Sequence, residues 1–181
     1  DSNSPSWFTA DPYVAITEYE NWGEVVDWGL KKFNNYHYEI PHELENRIAE
    51  WRKMAQGDPD MLANLALRFV QDQVRYLGLE IGAYTHQPHA PAEVYNHRFG
   101  DCKDKALLLA AILNQEQIPS YVALVNTEAR EKLAETLPAP TDFDHAIVAI
   151  KRSAGYIFVD PTISMQRGEL INSFIPAYGF A

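Results

Sequence analysis

Cys102 is the lone cysteine of the 181 residues, set in Gly100-Asp101-Cys102-Lys103-Asp104 directly ahead of the apolar run LLLAAIL. A thiol at a helix start sits beside unpaired backbone N–H groups and the positive end of the helix dipole, which favours the nucleophilic thiolate. Two further residues suit that chemistry. His145 opens the strand-like HAIVAI, and Asp160 closes YIFVD. An antiparallel hairpin with a loop of about four residues, a common connection, pairs Ile150 with Gly155, Val148 with Ile157, Ala146 with Val159 and His145 with Asp160. Opposed residues share a face with Cβ atoms about 4.5–5.5 Å apart. The carboxylate would then hold one ring nitrogen and leave the other free as a base. A one-residue slip would put the two on opposite faces.

Each residue has a plainer reading. His145 and Asp160 read equally as an ion pair at a strand end, and Cys102 as a buried, inert thiol. Asp101 and Asp104 oppose a thiolate electrostatically and fit better as helix cap and first-turn acid. The order shifts the balance: a cysteine at a helix start, then a histidine at a strand start, then an aspartate at the end of the next strand.

The elements that must carry these residues can be read from periodicity. Trp22, Val25, Val26, Gly29, Leu30 and Phe33 recur at helical spacing, as do Leu44, Ile48, Trp51 and Ala55. Asp58 followed by Pro59 marks a third helix start. Residues 78–100 carry three histidines and several turn formers, and read as irregular with one short helix at PAEVYN. The cysteine helix should end near Gln117, with Pro119 as its stop. Strands YVALVN, HAIVAI and YIFVD follow, with a short helix AREKLAETL and a Pro-rich loop LPAPTDFD between the first two. Helices first and strands after predict an α+β fold. Residues 1–12, with Trp7, read as a linker and 13–181 as one domain, the whole as a piece of a longer protein.

Composition narrows the partners. Fifteen basic against twenty-five acidic residues give a formal charge of -10, which opposes nucleic acid and anionic lipid surfaces. No apolar run approaches the roughly 20 residues of a membrane helix, so membrane insertion by this segment is not expected. His86 and His89 have HxxH spacing with His97 beyond, but lack a further thiolate or carboxylate at recognisable spacing, so no metal and no cofactor is expected.

The segments VRYLGLEIG, PAEVYNHRFGDCKDKALLLAAIL, QIPSYVALVNT, FDHAIVAI and YIFVDPT together resemble the transglutaminase-like superfamily, within the papain-like thiol enzymes. They are similar in particular to bacterial transglutaminase-like domains that follow a β-rich domain of unknown function in larger exported proteins. The resemblance implies a papain-like core with N-terminal helices and the nucleophile on a central helix packed against an antiparallel sheet. It implies Cys102 as nucleophile, His145 as base and Asp160 as orienting acid, a peptide or protein substrate, and a periplasmic or extracytoplasmic setting. Hydrolysis and transfer to an amine both remain open, as does a silent domain that has become a binding module. For the oxyanion, the Cys102 N–H is one expected donor, with Gln73 or Tyr84 as side chains able to supply a second. One departure is Asp144, where asparagine is more usual; its charge beside the base is expected to raise the histidine's pKa.

Overall fold

The structure, a computed structural model, describes Phe8 and residues 12–33, 40–78 and 82–181. Trp7 and most of the expected linker lie outside the described residues. The helical opening third consists of α1 (Trp22–Phe33), α2 (His42–Ala55) and α3 (Pro59–Gln73). The α2 stripe Leu44, Ile48, Trp51 and Ala55 is buried along its whole length, as one-turn spacing requires of a helix with a single core-facing side. Asp58 caps α3 by accepting from the amides of Asp60 and Met61, with Pro59 in the first turn. In α1 the extent agrees with the periodicity but the face does not. Val25 and Phe33 are buried, whereas Val26 and Leu30 are exposed and Trp22 is half-buried, edge-on to Phe143. The stretch YVAIT before α1 also exposes Tyr13, Val14 and Ile16.

After α3 come β1 (Arg75–Tyr76), a 3-10 turn at Gly82–Thr85, α4 (Pro91–His97), β2 (Phe99–Gly100) and α5 (Cys102–Gln115). The short strands β1 and β2 pair in parallel, Arg75 with Phe99 and Tyr76 with Gly100, and so tie the residues before Cys102 to the end of α3. Every residue of α5 from Cys102 to Leu113 is buried. The helix packs against α3 and α4 and against two strands, β3 (Ser120–Val125) and β4 (His145–Arg152). It stops at Gln115, two residues short of the expected end. Gln117 turns left-handed, and the Ile118 amide reaches back to the Leu113 carbonyl.

The strands β3, β4 and β5 (Gly155–Val159) form an antiparallel sheet in that order. Val122, Leu124, Ala146, Val148, Ile150, Ile157 and Val159 face the core shared with α5. On the opposite face Tyr121, Tyr156 and Phe158 are exposed around Ala149, which pairs with both Tyr121 and Phe158. Between β3 and β4 the segment expected to be a short helix is a 3-10 turn, Arg130–Glu135.

The β4–β5 register corrects the sequence expectation by two residues. Arg152 pairs with Gly155, Ile150 with Ile157 and Val148 with Val159, so the loop is only Ser153 and Ala154. The strand runs on through Arg152 because its guanidinium is fastened to the Asp60 carboxylate at the start of α3. Gly155, at φ +137°, takes a conformation other residues avoid. A slip of two preserves the side of the sheet, so His145 and Asp160 keep a common face.

Candidate active site

The start of α5 is built around a reciprocal cap. Asp101 accepts from the amides of Lys103 and Asp104, at 2.8 and 3.1 Å, while the Asp104 carboxylate folds back onto the Asp101 amide at 3.1 Å. The fold-back explains Gly100: a Cβ there would lie 2.6 Å from the Asp104 Cβ. Asp104 also accepts from the His89 amide at 2.7 Å and sits 3.1 Å from His89 Nδ1. Burial, and then the charge of Asp101, raise its pKa. Lys103 closes on Asp101 at 2.7 Å. Cys102 heads the helix at 4% exposure. The cap takes the next two amides and not that of Cys102, which belongs to the helix end where N–H groups have no intrahelical acceptor.

His145 stands at the first position of β4 with Nε2 2.8 Å from Asp160 Oδ2. Continuing the observed register puts residue 162 opposite His145. Asp160 is therefore a diagonal neighbour on the same face, a separation that a long side chain spans. The other partner of the imidazole is Cys102, to which it is hydrogen-bonded, and with Nε2 on the carboxylate the nitrogen left for sulfur is Nδ1. Burial alone would lower the His145 pKa, but the bonds to Asp160 and Cys102 and their charges outweigh it and raise it to about 10. Burial likewise works to raise Asp160, yet the bonds from His145 and Thr162 hold its carboxyl below the usual carboxylate range. The structure thus brings Cys102, His145 and Asp160 together.

Asp160 is itself closely held. Oδ1 accepts from the Thr162 amide at 2.8 Å and the Thr162 hydroxyl at 2.6 Å, and Oδ2 accepts from the Tyr178 hydroxyl at 2.7 Å as well as from His145. Its backbone carbonyl accepts from Gln71 Nε2 at 2.9 Å. Behind Gln71 the ammonium of Lys105, on α5, bonds the Val74 carbonyl at 2.6 Å and so covers the C-terminus of α3 with positive charge. Burial pulls the Lys105 pKa down to about 8, against the charges of Asp160 and Asp72.

Other residues singled out in the sequence sit elsewhere. Gln73 is exposed at the end of α3, its carbonyl accepting from Arg47 at 3.1 Å. Tyr84 stacks on His89 with ring centroids 4.0 Å apart. Neither is hydrogen-bonded to Cys102, His145 or Asp160. His86 meets Trp28 edge-on and His97 stacks on Phe99. Among the described residues no group of three or more His, Cys, Asp or Glu is placed to hold a metal ion. Asp144 is occupied by Thr127, whose amide and hydroxyl both donate to it at 2.8 Å. The charges that raise His145 are those of Asp160 and Cys102, and Asp144 acts instead on Tyr178.

Gln71, Lys105, Thr162 and Tyr178 escaped the sequence reading. Gln71 carried a signal: Leu67, Val70, Gln71 and Val74 form the buried stripe of α3, and a polar residue inside such a stripe needs a partner. Tyr178 carried none, because it reaches Asp160 from an irregular segment.

No family model and no curated protein matches this chain. Among solved structures it is similar to a "putative protease" from Parabacteroides distasonis ATCC 8503, with a TM-score of 0.59 and 12% identity over 80% of this chain. The likeness is one of fold, a mixed α+β arrangement. The match takes in 30% of the other chain, so this chain spans about a third of that protein's length. Among the described residues no helix is long and apolar enough to cross a membrane.

Proposed function

We propose that the protein is a thiol enzyme of the transglutaminase-like, papain-like type that acts on peptide or amide bonds. The observation that carries this reading is the convergence of Cys102, His145 and Asp160 from a helix start, a strand start and a strand end, with His145 Nε2 2.8 Å from Asp160. The solved structure similar in fold is called a protease, which supports peptide-bond chemistry at the level of class.

In this reading Cys102 Sγ attacks the substrate carbonyl carbon, and the C=O electron pair moves onto oxygen. The Cys102 N–H, at the positive end of α5, donates to that oxyanion. The intermediate collapses by expelling the amine, which takes a proton from the His145 imidazolium, and a thioester remains on Cys102. Water or a second amine then attacks the thioester and gives its proton to His145, and sulfur leaves as thiolate. Asp160 keeps Nε2 bound throughout and stabilises the imidazolium.

The 4% exposure of Cys102 favours a second reading, a protein-binding domain whose sulfur is packing. The two separate on the rate of Cys102 alkylation by iodoacetamide across pH, in the wild type and in His145→Ala. The enzyme reading expects fast alkylation that the variant slows, and turnover of a fluorogenic peptide amide that Cys102→Ala abolishes. Superimposable alkylation profiles for wild type and His145→Ala would eliminate it. Incorporation of a fluorescent amine, measured beside hydrolysis, decides between the two acyl acceptors.

A further inference from the structure

Asp160 is 1% exposed, and its carboxylate accepts four protein donors. Two come from Thr162, two residues on, and one from His145. The fourth, the Tyr178 hydroxyl, arrives from the segment after the last 3-10 turn, Leu170–Asn172, and lands on Oδ2, the oxygen that also holds the imidazole. The Tyr178 ring lies 5.4 Å from that of His145, tilted by 56°.

The segment is fastened on both sides of Tyr178. Before it, Leu170 is buried in the main core, Arg68 reaches Ser173 Oγ at 3.3 Å, and Gln166 donates to the Phe174 carbonyl at 2.9 Å. After it, Gly179, at φ +78°, lies so close to the turn at 130–135 that a Cβ would be 2.4 Å from the Glu131 amide nitrogen. Only glycine fits there without displacing the chain.

We infer that Tyr178 is a positioning residue of the site, whose hydroxyl shares Asp160 Oδ2 with His145 and so sets how tightly the carboxylate holds the imidazolium. The inference rests on the proposed roles of His145 and Asp160. A carboxylate oxygen that serves two donors offers each less charge than one that serves a single donor. Removing the hydroxyl returns that charge to the imidazolium, which then gives up its proton at higher pH. The groups facing this pair are Cys102 from α5, Lys105 acting on Asp160 from the same helix, and Asp144 and Arg130 acting on Tyr178. None is altered by the change of tyrosine to phenylalanine.

The test is a pH titration of the His145 ring by NMR on histidine-labelled full chain, for wild type, Tyr178→Phe and the sheet-face control Tyr156→Phe. The resonance is assigned with His145→Ala, whose Cys102 alkylation is measured in parallel. Tyr178→Phe is expected to move the His145 titration up by about half to one pH unit, with Tyr156→Phe unchanged. Coincident titrations for wild type and Tyr178→Phe, or a downward shift, overturn the inference. Alkylation indifferent to His145→Ala overturns the enzyme reading instead. Should Tyr178→Phe not fold, Gly179→Ala carries the same test, because its Cβ lifts the segment and removes the hydroxyl from Asp160.

Discussion

Residues two turns or fewer from Cys102 are specified by contacts rather than by their own chemistry. Gly100 is the clearest case. Gly100→Ala places a methyl against the Asp104 side chain, and the overpacking should cost about 1–3 kcal/mol, read as a lower urea midpoint with an unchanged slope. At His145 the prediction concerns pH. Its folded pKa of about 10 stands above its ordinary 6.5, so its contribution to stability is complete below about 6.5 and disappears as pH rises through about 10. Lys105 works the other way, since its folded value of about 8 lies below its ordinary 10.5 and it favours folding increasingly between those two. The His145 share must therefore be isolated as the melting-temperature difference between wild type and His145→Ala at each pH. That difference should shrink as pH rises past 8, and a constant difference would contradict the assigned pair. In turnover, His145→Ala should lower kcat/KM by about 10²–10⁴-fold.

Among the elements, α5 and the β4–β5 hairpin divide the work of placing the site. The helix start depends on Asp101, which binds two amides and the Lys103 ammonium. Asp101→Ala should cost about 1 kcal/mol for the cap and more for leaving Lys103 buried beside an empty position. The junction of α3 and α5 depends on Lys105. Lys105→Met removes the donor to the buried Val74 carbonyl, and about 1–3 kcal/mol should be lost in chemical denaturation. Both the cap and the start of α3 were legible in sequence, because capping is local and each partner lies within three residues. The hairpin was legible only in kind. Its register differed by two because Arg152 is held by Asp60, a residue on another element, and no local turn preference contains that information. The site survived the error because strand faces repeat every second residue.

Across the whole molecule, α5 is the centre of the core, and its sequence announces this by having no polar face from Ala106 to Leu113. Leu108, fully buried in the main cluster, should cost about 2–5 kcal/mol when cut to alanine, measured by equilibrium unfolding. The exposed Tyr156 should tolerate serine within about 0.5 kcal/mol. The sequence by itself determined the α+β order, α2 and its buried stripe, the two capped helix starts, and Cys102, His145 and Asp160 as the residues to watch. Each of these depends on spacing within one element or on a chemical type that few other residues share. Only the tertiary structure decided that Gln71, Lys105, Thr162 and Tyr178 hold Asp160 and its surroundings, that Gln73 turns to Arg47, and that much of α1 stays exposed. Those outcomes depend on contacts between residues far apart in the chain, where burial and hydrogen-bond partners are settled by how the elements pack.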